Sequence, residues 1–267
     1  MRILVEGDNH GGSIAGLTPR RWQPSMLSRG DTPRAKLDRL IIDVYNERKR
    51  LLKKYGPFDR YIHTGDSLEG KGWRSGGTEL ITTSMEEQAE IAVAGIDEVR
   101  LYANRGFKSY GVRGTGYHTA VDGDDWDNIV AKDAGFDAFD DELRIRANGY
   151  LFDVRHHVGT SSTPYGRFTA IAKANVWGSL IADREKTQRA DCIIRGHAHY
   201  ALHCGDPTFE ALICPSLQLA HTKYGKRRCE GRVDFGITVI DVDKHGKMTY
   251  VQDVTEISTQ LPEIIDI

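Results

Sequence analysis

The spacing of apolar positions changes along this chain, and with it the kind of element it predicts. Arg2-Ile3-Leu4-Val5 opens as a strand, and Tyr61-Ile62 forms the apolar part of a second one, between Gly56-Pro57 and a glycine-rich loop from Gly70 to Gly77. Between them Leu37, Leu40, Ile41, Val44, Leu51 and Leu52 fall mostly three, four or seven apart. That spacing predicts an amphipathic helix over Pro33 to Tyr55, with Arg48, Lys49, Arg50, Lys53 and Lys54 as a solvated basic face. Met85, Ala89, Ala92, Ile96 and Val99 mark a second long helix, roughly Thr78 to Asn104, stopped by Gly106. A third strand runs from Phe107 to Arg113, and a short helix from Asp124 or Asp125 toward Ala134, closed by Gly135. The loop from Gly11 to Asp31 has no periodicity and is expected at the surface.

Past this point the pattern turns to hairpins. Leu143 to Arg146 and Tyr150 to Arg155 flank Asn148-Gly149, whose two residues favour the tight turn of a hairpin, and the second arm ends at His156-His157. A third helix is expected between Gly166 and about Glu185, then a strand Cys192 to Arg195. Short strands follow near Ala201 to Cys204, Phe209 to Cys214, Val233 to Val242 and Met248 to Val254, the last two joined at Asp243 to Lys247. Alternating strands and helices followed by meandering strands argue for a layered α/β sandwich containing a mixed sheet, with ligands gathered at strand ends.

At 267 residues the chain is long enough for one large α/β domain, and a single domain over residues 1–267 is expected. A formal charge of -2 gives no global pull toward nucleic acid or membrane, so a polyanion would need a local site. No apolar run reaches membrane length, and a strand opens almost at Met1 where a signal peptide would sit, so a cytoplasmic protein is expected. Cys192, Cys204, Cys214 and Cys229 lack Cys-x-x-Cys spacing and read as reduced thiols, Cys192 and Cys214 in the core.

The chemistry lies at the strand ends. A lone Gly-Asp ends strands for turn reasons, but here the first strand ends in Gly7-Asp8-Asn9-His10, the second in Gly65-Asp66, and the strand at Cys192 in Gly196-His197-Ala198-His199. With His156 or His157, these carboxylates and imidazoles outnumber the ligands of one tetrahedral zinc. Two divalent ions fit better, and Asp66, on a central strand, is the candidate bridge between them.

Taken in order, these motifs resemble those of the calcineurin-like metallophosphoesterase superfamily over nearly the whole chain, from Asp8 to His199. The resemblance implies a layered αββα-type sandwich with mixed central sheets. It implies that Asp8 and His10 bind a first metal, that Asp66 bridges, that His197 binds the second metal and that His199 binds the first. His156 or His157 supplies another imidazole, His156 being preferred because it comes first after the strand. The third motif departs from the family's Gly-Asn-His. Gly114-Thr115-Gly116-Tyr117-His118 resembles instead a Gly-Thr-x-x-His version found in bacteriophage-type members, with Thr115 in the asparagine's place on the second metal and His118 as the acid near the leaving group.

The expectation is therefore a metal-dependent phosphoric ester hydrolase in which two divalent ions and a bridging hydroxide attack phosphate mono- or diesters. A diesterase or nuclease is placed slightly ahead of a monoesterase, so the substrate class includes nucleic acid and nucleotides. Manganese is preferred for the mixed oxygen and nitrogen donors, with Zn2+, Fe, Ni2+ and Mg2+ also compatible. The competing reading is a phosphoesterase-like scaffold or binding protein with a degenerate metal site, and metal content separates the two. No membrane partner is expected, and oligomeric state is not legible. His63, His203 and His245 read as partly buried interior residues. His221, near Lys223, Lys226, Arg227 and Arg228, reads as part of a solvated loop, and Trp73 and Tyr200 as packing aromatics.

Overall fold

Successive residues of a strand face opposite sides, and the first strand shows what that does here. Ile3 and Val5 pack with Ile62, Val112, Phe152, Ile194 and Ile240, whereas Leu4 packs with Val44, Leu51, Ala89 and Val130. One strand thus belongs to two cores, which requires a sheet covered on both faces.

In this computed structural model, residues 1–24, 33–73, 75–121, 123–161, 163–219, 233–255 and 257 are described. The elements in chain order are β1 (Arg2–Glu6), α1 (Pro33–Tyr55), β2 (Phe58–His63), α2 (Met85–Asp97), β3 (Ala103–Val112), the single turn α3 (Gly116–Thr119), β4 (Ala120–Val121), β5 (Asp124–Asp125) and α4 (Trp126–Asp133). They continue as β6 (Ala138–Asp140), β7 (Glu142–Ala147), β8 (Tyr150–Arg155), α5 (Gly166–Arg184), β9 (Cys192–Arg195), β10 (Leu202–Asp206), β11 (Phe209–Ile213), β12 (Phe235–Val242) and β13 (Met248–Thr255). One sheet has the order β13-β12-β1-β2-β3-β6 and the other β10-β11-β9-β8-β7. Both are mixed: β1, β2, β3 and β6 are parallel neighbours beside antiparallel β12 and β13, and β8, β9 and β11 are parallel between antiparallel β7 and β10.

The layers follow from side-chain alternation. Helices α1, α2 and α4 cover the outer face of the first sheet, the inner faces of the two sheets meet over Ile3, Ile62, Phe152, Cys192, Ile194 and Cys214, and α5 lies over Ile193, Ala211 and Ile213 of the second. The fold is a layered αββα sandwich with two mixed sheets, as the sequence leads one to expect.

Several local expectations are corrected. Helix α2 begins at Met85 rather than near Thr78, because the Ser84 hydroxyl accepts from Glu87 N at 3.2 Å and caps it there. It passes into a 3-10 turn at Glu98–Tyr102, and Gly106 lies inside β3 at φ +81° rather than ending a helix. The segment after β1 is not a surface loop in its first half: Gly11 N donates to Ser67 O at 2.8 Å, and Ala15, Leu17 and Thr18 are buried. Its remainder, residues 25–31, lies outside the described residues, as do His221, Lys223, Lys226, Arg227, Arg228 and Cys229. His63 is interior, but His203 is exposed and pairs with Glu210, and His245 is exposed in the β12–β13 turn.

Arg48 is the correction with the largest energetic weight. It is not on the solvated face of α1. Its Nε and Nη2 donate to Glu6 Oε1 and Oε2 at 3.1 and 2.8 Å, with Glu98 Oε2 3.6 Å from Nη1, and both Arg48 and Glu6 are fully buried. Such a bidentate pair fixes α1 against the end of β1, immediately before Gly7-Asp8. Removing one partner leaves the other charge buried and alone. Arg48→Met is therefore expected to lower unfolding free energy by about 3–5 kcal/mol in urea denaturation, with Glu6→Gln in the same chain recovering part of it. A loss below about 1 kcal/mol, the scale of an exposed ion pair, would contradict the buried-pair assignment.

Candidate metal centre

Because β1, β2 and β3 are parallel, and β8 and β9 likewise, their carboxyl ends open on one rim. The ladder continues past the strands: Asp8 N donates to Gly65 O at 2.9 Å and His10 N to Asp66 O at 3.1 Å, while Gly196 N donates to His156 O at 3.0 Å. Two sheets then meet through side chains, His156 Nδ1 lying 2.7 Å from Thr64 O and His197 N 3.1 Å from Asp8 Oδ2.

The backbone is turned sharply at these ends. Seven described non-glycine residues have positive φ, and five of them are Asp8, His10, Asp66, His197 and His199. Left-handed geometry at a non-glycine residue is unfavourable by about 1–3 kcal/mol and persists where the surroundings over-determine it. Here it aims side chains inward. Gly114 is required by close approach, since a Cβ there would run into Asp66 Oδ1 and backbone N.

All eight residues singled out from the sequence are brought together. Asp8, His10 and His199 form one group able to hold an ion, Asp66, His156 and His197 a second, and His10, Asp66 and His118 a third. His10 Nε2 is 3.3 Å from His199 Nε2, His199 Nε2 is 3.2 Å from Asp8 Oδ1, and His156 Nε2 is 3.1 Å from Asp66 Oδ2. The Thr115 hydroxyl lies 3.3 Å from Asp66 Oδ2, 3.2 Å from His156 Nε2 and 3.3 Å from His197 Nδ1, among the donors of the second group. Ligands about 2.0–2.2 Å from one tetrahedral ion stand roughly 3.3–3.6 Å apart. The spacings here, 3.1–3.3 Å, lie at the short end of that range or within about 0.2 Å below it, so small side-chain shifts bring the donors of both groups to ion-ligating distances. Of the two consecutive histidines, His156 is the buried one in the cluster, while His157 is exposed with its ring 4.7 Å from that of His197.

The charges agree with that use. Burial would raise the pKa of Asp8, but His199 and His156 bring it down to about 2, and His156 and His118 hold Asp66 well below the carboxylate range. Burial lowers His10 and takes His197 down to about 4, leaving both neutral and able to ligate. Burial would also lower His156, yet Asp66 and Asp8 raise it to about 10. A proton on His156 is what balances two buried carboxylates when no cation is bound.

Sequence reading missed the supports. Glu69 Oε2 lies 3.0 Å from His10 Nδ1 and accepts from Gln218 Nε2 at 2.8 Å, while the Glu69 carbonyl is 2.7 Å from His118 Nδ1. His118 and His156 thus both present Nε2 to the cluster, their Nδ1 protons engaged by carbonyls. Asp127 is buried, raised by that burial to about 6, and accepts from Gly114 N at 2.7 Å and from the Ser67 hydroxyl. At the start of α4 it looks in sequence like any first-turn acid, and the one sequence signal for Glu69 is its place three residues after Asp66 and directly before Gly70. Of the two aromatics, Tyr200 is buried with the Arg167 guanidinium 4.4 Å over its ring, whereas Trp73 is exposed rather than packed.

No protein family matches the sequence, and no curated protein does. Among solved structures, an archaeal phosphodiesterase aligns at 11% identity over 96% of this chain and 100% of its own, with a TM-score of 0.42. Vps29 from Entamoeba histolytica, complexed with Zn2+, aligns at 15% identity over 95% and 99%, also at 0.42. Yfce, a phosphoesterase from E. coli, aligns at 11% identity over 94% and 99%, again at 0.42. Among the described residues no helix is long and apolar enough to cross a membrane.

A ligating imidazole must lose its proton. With His156 raised to about 10, Mn2+ titrated into metal-free protein at pH 7 is expected to release about one proton per chain from this residue, and affinity is expected to rise about tenfold per pH unit between pH 7 and 9. Calorimetry in buffers of different ionisation enthalpy reads the proton count. Binding with no proton release, or release unchanged in His156→Gln, would remove His156 from the ligand set.

Proposed function

We propose that the chain is a metal-dependent phosphoesterase of the calcineurin-like class, acting on phosphate mono- or diesters, with a diesterase or nuclease activity ahead of a monoesterase one. The observation that carries the reading is that Asp66 is the carboxylate within reach of both sets of donors: it groups with His156 and His197 on one side and with His10, itself grouped with Asp8 and His199, on the other. In this reading Asp8, His10, His199 and Asp66 hold one ion, and Asp66, His156, His197 and Thr115 the other. Bound divalent ions would supply Lewis acidity toward a phosphoryl oxygen and lower the pKa of water at neutral pH. Mixed carboxylate and imidazole donors suit Mn2+, with Zn2+, Fe, Ni2+ and Mg2+ as alternatives.

The chain's own groups divide the remaining work. Asp66, buried and ionised, fixes negative charge between the two groups, and Glu69 orients His10. His118 has the position of a general acid. Its Nδ1 is engaged by the Glu69 carbonyl and its Nε2, 4.0 Å from Asp66 Oδ2, faces the cluster. Burial would lower its pKa, but Asp66 and Glu69 raise it, so a proton is available there for a leaving oxygen near neutral pH. The second reading, a phosphoesterase-like scaffold with an incomplete second site, is favoured by one observation: a hydroxyl, Thr115, stands where the resemblance leads one to expect an amide.

Asp66→Asn is expected to abolish turnover and lower metal content while circular dichroism stays unchanged, since one negative charge is removed from between two cations. Near-parent manganese-dependent hydrolysis of bis-p-nitrophenyl phosphate by this variant would reject the bridging role. Parent protein that binds no divalent metal would favour the scaffold.

His118 is tested by leaving group. His118→Asn is expected to keep its metal and lose ~10²- to 10⁴-fold on esters of poorly acidic alcohols, but far less on p-nitrophenyl esters. Equal losses on both would assign His118 to phosphate positioning, and loss of metal would make it a ligand alongside His10 and Asp66.

A further inference from the structure

Asp127 stands behind the metal centre without being one of its ligand candidates: no group able to hold an ion among the described residues includes it. It lies in the first turn of α4 and is 2% exposed. An interior carboxylate is unfavourable unless its oxygens are taken up, and here both are. Oδ2 accepts from Gly114 N at 2.7 Å, and Oδ1 accepts from the Ser67 hydroxyl. Gly114 directly precedes Thr115, and Ser67 directly follows Asp66. One buried side chain therefore joins the loop that carries the candidate bridge to the loop that carries the hydroxyl beside it.

Those two loops are in close contact. Thr115 N donates to Asp66 Oδ1, and Gly114 leaves no room for a Cβ against that same oxygen. With the backbone held there, the Thr115 hydroxyl lies 3.2–3.3 Å from Asp66 Oδ2, His156 Nε2 and His197 Nδ1. A neutral hydroxyl brings no charge to a cation, so what it contributes depends on how firmly it is placed. We propose that Asp127 is a positioning residue for the second ion: through Gly114 it fixes where Thr115 stands over Asp66, His156 and His197. This rests on the two-ion reading of the site given above. The same helix start also holds Arg113, whose Nε donates to Asp125 Oδ2 at 2.7 Å, but those side chains are 33 and 41% exposed and neither touches Gly114 or Ser67 through a hydrogen bond. Asp125 also caps α4 by accepting from Asn128 N at 3.1 Å. It therefore separates the docking of the helix from the hold on Gly114.

Calorimetry of the full chain with Mn2+, its two binding events assigned by His197→Ala and His199→Ala, tests the proposal. Asp127→Ala is expected to weaken the event that His197→Ala removes by about 10–100-fold, the usual scale for a group behind a ligand, and to leave the event that His199→Ala removes unchanged. Asp127→Asn is expected to restore the weakened event, because its amide oxygen can accept from Gly114 N while its NH2 donates to the Ser67 oxygen. In metal-free protein the Gly114 amide is expected to exchange with solvent faster in Asp127→Ala than in the parent, and at the parent rate in Asp127→Asn. Asp125→Ala is expected to lower the melting temperature and keep both events. Should Asp127→Ala not fold, Ser67→Ala frees the carboxylate from one of its two partners and is expected to weaken the same event. Parent affinity for the second ion in Asp127→Ala, or in Ser67→Ala read in its place, overturns the proposal. An equal loss in Asp125→Ala overturns it by making helix docking the cause, and an equal loss in Asp127→Asn by making charge the cause. All three arise in a chain whose parent binds two ions; a parent that binds fewer overturns the two-ion reading and the proposal together.

Discussion

Two carboxylates, Asp8 and Asp66, are held in the interior of this molecule with essentially no exposure. An isolated buried carboxylate is strongly unfavourable and survives only if paired, hydrogen-bonded or bound to a cation. The arrangement around them is a response to that constraint. Five imidazoles face them, carbonyls engage the far sides of His118 and His156, and the Thr115 hydroxyl lies among the donors of Asp66, His156 and His197. With no cation bound, protonation of His156 meets part of the charge; divalent ions held by these donors would meet it in that proton's place.

Holding such a cluster requires a frame that does not yield. Parallel strands from two sheets end on one rim, and the ladder carries on through Asp8, His10 and Gly11 into the turns. Five of the ligand candidates sit in left-handed backbone, an unfavourable state maintained by packing around them. Behind β1, the buried Glu6–Arg48 pair ties the strand to α1. Strain at the rim and a charge pair behind it belong to the same strand, within two residues of each other.

The sequence carried the layered α/β plan, because period-two and period-3.6 patterns report directly on which faces are buried. It also carried which residues the structure brings together at the rim, because the candidates at Asp8, Asp66, His156 and His197 each follow a recognisable strand end. What it did not carry depends on distant contacts. Arg48 looks like its neighbours Lys49 and Arg50 until Glu6, 42 residues earlier, is placed beside it. Leu17 looks like part of a polar loop until Asn9 O accepts its amide and the α1–α2 core receives its side chain. Asp127 reads as a helix-start acid, and its role under Gly114 exists only in three dimensions. Between His156 and His157 strand alternation says only that one of the two faces the cluster; that the one buried there is His156 depends on packing, which sequence alone does not report.

The central claim is a two-ion centre sharing Asp66, and electron paramagnetic resonance of protein reconstituted with Mn2+ tests it most directly. Two carboxylate-bridged Mn2+ ions ~3.5–4 Å apart are expected to give an exchange-coupled multiline spectrum at two ions per chain by elemental analysis. A six-line spectrum of isolated Mn2+ at one ion per chain, persisting with excess metal, would contradict the account.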